Sequence, residues 1–409
     1  MILKRRNLVF RFLPGLFLSG LLLLSGCSQD DVSDVPAGSR AIGFRAQGAM
    51  SSLKATTTGA EHIQSFVVSA NHGGDWTVAD DYLLSAVTVY REGGIGDPDA
   101  TAKWTYSPQA YFPTDKSSFV DFLAYSPAVS KNVTAGLKDA VDADQTITYK
   151  VPKPLATGAT AQEDFLVAYQ RVTGSADPGY GGPVNLQFRH ALSRVLVAAG
   201  SSLTEPVVIT GLVLRNLHTT GDLPMNSAST VWTPDPAKLD NYSYVLPDAG
   251  VSVTRYPVNQ AFPSPLPLVT SYEQGMFVLP QLTAGTLNDA ETAETAVENS
   301  NEFGLELHYT IGDLVKEPYY IQFADLNKVA DKGVTFEAGK QYVLNLTFGS
   351  GSGTGGGGGG GSDQPTVDIG ATISFGELGV DGYGPDITVP KPKVFEPVAV
   401  VWSQSNVYF

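Results

Sequence analysis

The sequence predicts an all-β protein built of sandwiches, and three observations carry that prediction. The chain has 409 residues with 43 Gly and 26 Pro against 4 Met, a composition of turns and strands. Short apolar runs rich in Val, Thr, Tyr and Phe recur between clusters of Gly, Pro and Asp along most of its length. Several runs alternate with period two, so that Phe66, Val68 and Ala70, or Val367, Ile369, Ala371, Ile373 and Phe375, share one face. The length suggests two or three domains of roughly 100–200 residues each.

The first element is an export signal. Lys4, Arg5 and Arg6 precede an apolar run from Leu16 to Leu24 that Ser19 and Gly20 interrupt. The run is too short to span a bilayer and ends in small residues. Leu24-Ser25-Gly26-Cys27 closes it with the chain's one cysteine and resembles the bacterial lipobox. Residues 1–26 therefore read as a lipoprotein signal peptide and Cys27 as the acylated anchor, which would hold the rest at a membrane. A core thiol is the competing reading of Cys27, but its place directly after the signal argues against a core. With Cys27 acylated no disulfide forms, and the cores must hold the fold. The acidic stretch Ser28-Gln-Asp-Asp-Val-Ser-Asp34 resembles a surface-export signal of lipoproteins in some Gram-negative anaerobes, and reads equally as a solvated tether.

The net charge is −15; removing residues 1–26 takes four basic residues and no acid, leaving 22 basic against 41 acidic and a net charge of −19. That argues against a nucleic-acid partner.

Strand candidates follow in order. They are Ala41–Ala46, His62–Ala70, Ala86–Tyr90, Trp104–Tyr106, Tyr111–Pro113, Ser118–Tyr125, Thr146–Val151 and Asp164–Tyr169. Gly174–Pro183, dense in Gly with Pro178 and Pro183, is the expected domain break. The second series is Val184–Phe188, Ser193–Ala199, Val207–Leu217, Ser252–Tyr256, Gly275–Leu279, Leu305–Ile311, Tyr319–Phe323 and Gln341–Phe348, with a short helix as the other reading of Ala191–Val195. Seven consecutive glycines, Gly355–Gly361, make a spacer; Ser362-Asp363-Gln364-Pro365 after them lacks the Lys-Ser/Thr pair of a phosphate loop. Thr366–Phe375 is a further strand, and Val398–Phe409 is an uncharged, aromatic-rich tail. The expected divisions are 1–26, 27–180, 181–350, a Gly-rich spacer 351–365 and an extension 366–409.

No catalytic constellation stands out. His62, His72, His190, His218 and His308 are scattered without the spacing of a zinc site, and no Gly-x-Ser-x-Gly elbow occurs. Asp139, Asp142 and Asp144, or Asp97 and Asp99, read as solvated loop acids before a calcium loop, because the Gly and terminal Glu of an EF-hand are missing. His190 reads as a structural histidine. Trp76, Trp104, Tyr106 and Tyr111 offer either a sugar-stacking platform or core aromatics. No catalytic residue, metal or cofactor is expected.

Together these stretches resemble the fimbrillin family, the subunits of type V pili in Gram-negative anaerobes. The matching segments are Trp104-Thr-Tyr-Ser-Pro108, Tyr111-Phe-Pro113, Val120-Asp-Phe-Leu-Ala-Tyr-Ser-Pro127, Gln162-Glu-Asp-Phe-Leu-Val-Ala168, Val184-Asn-Leu-Gln-Phe-Arg-His-Ala-Leu-Ser-Arg194 and Leu279-Pro-Gln281. The resemblance implies two tandem transthyretin-like β-sandwich domains behind a lipoprotein signal peptide. It implies outer-membrane export, proteolytic removal of the first strand and polymerisation by strand exchange with other fimbrial subunits, serving adhesion to a host or microbial surface ligand. Physics suits that scheme, since losing an edge strand opens an apolar groove that a neighbour's strand can fill.

Lys54 is the one Lys or Arg between the first two strand candidates and is the expected maturation site. Family members are usually matured at an arginine; Arg45 and Arg40 are the fallbacks, though Arg45 lies within the strand. In the tail, Val398, Val400, Trp402, Val407 and Phe409 are the candidate residues of a donor strand, or else belong to the opening of a module that stops here. Stalk, accessory and tip roles stay open. The competing readings are a surface-exposed glycan-binding lipoprotein that does not polymerise and, last, a hydrolase carrying sandwich modules.

Replacing Cys27 with Ala should abolish metabolic labelling with a fatty acid; a variant that still incorporates label would place the lipid elsewhere.

Overall fold

Alternating apolar residues drive strands together, and the computed structural model shows what they build over residues 41–48, 63–92, 103–115, 118–137, 145–154, 162–174, 177, 180–225, 229–255, 266–267, 276–283, 303–323, 334–350, 367–377 and 400–403. The described residues are chiefly strands and their connections, with a short 3-10 turn at Ala79–Asp81. The all-β class is as expected.

The strands of the first half are β1 (Gly43–Gly48), β2 (Ser65–His72), β3 (Tyr82–Glu92), β4 (Lys103–Thr105), β5 (Phe119–Ser126), β6 (Val133–Ala135), β7 (Thr146–Lys150) and β8 (Leu166–Thr173). The next are β9 (Pro183–His190), β10 (Ser193–Ser201), β11 (Val207–His218), β12 (Thr220–Pro224), β13 (Thr233–Pro234), β14 (Leu239–Ser243), β15 (Val251–Ser252) and β16 (Thr254–Arg255). Then come β17 (Leu266–Pro267), β18 (Met276–Val278), β19 (Gln281–Thr283), β20 (Gly304–Ile311), β21 (Leu314–Val315), β22 (Tyr319–Gln322), β23 (Val334–Phe336), β24 (Lys340–Ser350), β25 (Val367–Glu377) and β26 (Val400–Ser403).

The first sheet runs β1-β9-β8-β5-β2-β3-β4. Its strands are antiparallel except β1, which lies parallel to β9. Ala41 bridges Tyr111, just beyond β4, so the two edges of this sheet are brought together. One core is enclosed there, with Phe44, Phe66, Phe122 and Phe188 among its members. The second core spans both halves of the chain: Val67, Leu123, Tyr125 and Val167 on the other face of the first sheet join Val195, Leu214, Leu307 and Leu346. β5 and β10 face apolar neighbours on both sides and are buried almost throughout, which is why both read as nearly continuous apolar runs. β9 and β20, with one solvated face, alternate cleanly.

Several elements differ from expectation. Gly174–Pro183 does not separate two sheets. It joins β8 to β9, which pair through Leu166↔His190 and Val167↔Arg189. β7 of the first half pairs with β12 of the second over five residues, so strand hydrogen bonds cross the expected boundary. The Ala191–Val195 segment enters β10 and is not a helix. The Ser252–Tyr256 run divides: β15 joins β11 antiparallel, and β16 joins β10 parallel. Asn216, with φ of 57°, sits where the β11–β14 register shifts, and its N–H donates to Asn241 Oδ1 at 2.9 Å.

Polar side chains fasten these layers. Gln162 donates to the carbonyls of Pro152 and Phe277, both at 2.9 Å, and accepts from the Phe277 N–H at 2.8 Å. Glu163 accepts from Ser130, Asn132 and Tyr149. Burial, then the charge of Glu163, holds the Tyr149 phenol well above its ordinary range. Gln281 binds both backbone groups of His218, accepting at 2.9 Å and donating at 3.2 Å.

Gln162→Leu strands one N–H and two carbonyls between the halves and should cost about 1–3 kcal/mol. Chemical denaturation followed by tryptophan fluorescence should show the midpoint fall.

Candidate functional site

The site follows from the first strand. Ile42, Phe44 and Ala46 alternate on one face, and they are 1%, 5% and 0% exposed. Phe44 packs edge-on to Phe66 at 5.5 Å and to Phe122 at 6.2 Å, and its ring lies 5.5 Å from that of Tyr106. Burying side chains of the Ile and Phe class contributes about 1.5–3 kcal/mol each. Each residue from Gly43 to Gly48 pairs in register with one from Pro183 to Phe188. The other side of the strand meets the segment after β4: Ile42 N donates to Ala110 O at 2.9 Å. β1 thus occupies a slot between β9 and residues 106–111, and it covers the core of the first sheet.

Among the proposed maturation residues, Arg45 lies within β1, its side chain exposed and its backbone paired with Asn185. A protease needs an extended, accessible backbone, so Arg45 is a poor cleavage site while β1 stays in place. Cys27, Arg40 and Lys54 lie outside the described residues. Lys54 falls in sequence between the end of β1 and the start of β2. In the tail, Val400 and Trp402 lie on β26, which runs antiparallel to β25 with Ala371↔Val400 and Ile369↔Trp402. β25 in turn pairs with β24 along its whole length, from Lys340↔Glu377 to Ser350↔Val367. Val398, Val407 and Phe409 lie outside the described residues, as do the 351–365 spacer and the acids Asp97, Asp99, Asp139, Asp142 and Asp144.

The four aromatics weighed as a sugar platform do not come together. Trp76 is buried in the core spanning both halves, 5.4 Å from Tyr82, while Trp104 is buried in the other core, 5.1 Å from Phe66. Tyr106 packs on β1, and Tyr111 forms the bridge to Ala41. His190 is buried, and its Nδ1 lies 2.8 Å from Oδ1 of Asp164, two residues before β8. His308 pairs with Glu306, and His218 stacks near Phe303. Among the described residues no group of three His, Cys, Asp or Glu could hold a metal ion.

The role of residues 106–110 escaped the sequence reading. Trp104-Thr-Tyr-Ser-Pro108 gave the aromatic positions but no sign that a backbone carbonyl is their partner.

The fimbrillin-like family matches residues 54–368 of the chain. The protein belongs to the fimbrillin-like family. β1 precedes the matched stretch of this fimbrillin, and β26 follows it. A fimbrial protein from Bacteroides vulgatus shares the fold, with 14% identity, 76% of this chain and 95% of that chain covered, and a TM-score of 0.50. The tip fimbrial protein Mfa3 from Porphyromonas gingivalis aligns with 9% identity over 83% of this chain and 100% of that chain, at a TM-score of 0.44. A putative cell adhesion protein from Bacteroides uniformis aligns with 14% identity, 83% of this chain and 99% of that chain, at a TM-score of 0.45. No curated protein matches the sequence.

Phe44→Ala should destabilise the fimbrillin by about 3–5 kcal/mol, whereas Arg45→Ala, on the solvated face, should stay within about 0.5 kcal/mol of the parent. Urea denaturation of both variants checks the slot against the exposed edge.

Proposed function

We propose that this fimbrillin is a structural subunit, stalk or accessory or tip, of a type V fimbria on the cell surface that contributes to adhesion. It is exported as an outer-membrane lipoprotein through Cys27, matured by cleavage after Lys54, and joined to other fimbrial subunits by strand exchange. The observation that carries the reading is the slot of β1. A strand at the end of the sheet fills the core with Ile42, Phe44 and Ala46, and the stretch connecting it to β2 holds one basic residue, Lys54.

Cutting that stretch leaves β1 held only by non-covalent contacts. Its departure would expose the unpaired edge of β9 and an apolar groove, a combination that favours addition of another strand. β1 is also the parallel member of an otherwise antiparallel sheet, and parallel pairing is slightly weaker per residue. The candidate donor is the tail carrying Val398, Val400, Trp402, Val407 and Phe409. Its β26 portion spans four residues at the end of the β16-β10-β24-β25-β26 sheet, a smaller holding than the eleven-residue pairing of β24 with β25.

Surface material from the native host should contain polymers whose chains begin at Ala55 on N-terminal sequencing. Monomers beginning at Cys27 would overturn the assembly reading. Deleting Val398–Phe409 should leave the monomer folded and remove polymers; normal polymers from that variant would exclude the tail as donor.

A further inference from the structure

We infer that Tyr106 and Gln109 form a latch that grips the backbone of whichever strand fills the slot, through the carbonyl at position 42. The inference rests on the slot reading above and concerns how an occupant is retained.

Most of β1 is held by its ladder with β9 and by its three buried side chains. The Ile42 end is held differently. Tyr106 Oη donates to Ile42 O at 2.8 Å, and Gln109 Nε2 donates to the same oxygen at 2.9 Å. Gln109 Nε2 also lies 2.8 Å from Tyr106 Oη and 3.0 Å from Ala110 O, so the two side chains support each other. With Ile42 N bound to Ala110 O, both backbone groups of Ile42 are taken by one short segment. The Tyr106 ring packs on Phe44, so one side chain touches the occupant through both its ring and its hydroxyl. Burial pushes the Tyr106 phenol up, which keeps the hydroxyl protonated and able to donate.

The segment is itself anchored to the wall on which β1 lies. Tyr180, in the connection leading to β9, bonds Pro113 O and stacks against Phe112 at 4.8 Å. The latch is therefore fixed relative to β9 whether or not the slot is filled by its own strand.

A carbonyl is the same in every residue, so this grip carries no side-chain requirement. In the free subunit the occupant is β1; after exchange it is a strand from a second copy of this chain, whose carbonyl at the same level meets the same two donors. The sockets of Ile42, Phe44 and Ala46 select by shape, and the latch sets the position of the occupant along the slot.

The test uses the uncleaved chain from residue 28 onward, which keeps β1, with a site-specific protease sequence inserted between Gly48 and Ile63. After cutting, release of the N-terminal fragment is timed by native mass spectrometry during a chase with a synthetic peptide of residues 39–50. Tyr106→Phe, which keeps the ring on Phe44, and Gln109→Leu should each speed release about threefold to tenfold, as expected for one lost hydrogen bond. A second measurement separates gripping from general loosening. A peptide with an ester in place of the 42–43 amide, a poorer acceptor at that carbonyl, should bind the parent slot less well than the normal peptide. The two peptides should differ less when offered to the double variant. Release rates equal to the parent's, or an ester penalty unchanged in the double variant, would overturn the latch. Release is read without polymers, so a failure of the assembly reading is seen separately from a failure of the latch.

Discussion

The first sheet depends on having its last strand. An apolar core needs cover on every side, and a sheet edge with free N–H and C=O groups invites pairing. β1 meets both needs with six residues and a bridge, closing the sheet from β9 to the segment beyond β4. The long linker in sequence between β1 and β2 means that this closure owes little to chain continuity. The strand is kept in place by its pairing with β9, the bridge to Tyr111 and its buried side chains.

The remainder is held by a different device. The second core runs through strands of both halves, and side-chain amides and acids stitch its layers together. Gln162 stands in for a missing strand partner between Pro152 and Phe277, Gln281 does the same at His218, and the indole N–H of Trp232 donates to Ala191 O at 2.6 Å. Each of these gives a backbone group a side-chain partner from a distant part of the chain.

The alternating and continuous apolar runs were legible, so β2, β5, β8, β9, β10, β11, β20 and β24 lie close to their expected positions. The three inward residues of β1 were legible for the same reason. Short strands such as β12, Thr220–Pro224, were not: one buried leucine in five residues leaves no pattern to read. Gly174–Pro183 was misread because a tight connection and a domain linker use the same residues. Trp76, Trp104 and Tyr106 announced aromatic chemistry without saying which side of a sheet they face. The carbonyl of Ile42 was invisible, since backbone groups leave no mark in a sequence and only the folded chain shows which side chains have found them.

The placement of the two side-chain donors gives the slot a direction. At Ile42 both backbone groups are clasped by residues 106–110, whereas from Gly43 toward Gly48 the strand is paired with β9. On the latch reading, β1 is expected to peel from the Gly48 end, one pair at a time, and to let go of Ile42 last. A pull along its axis meets the six pairs and the clasp together. The same strand is thus easy to unzip from the end where the linker begins and hard to drag out lengthwise, which is the mechanical character of a zip fastener with a stop at one end.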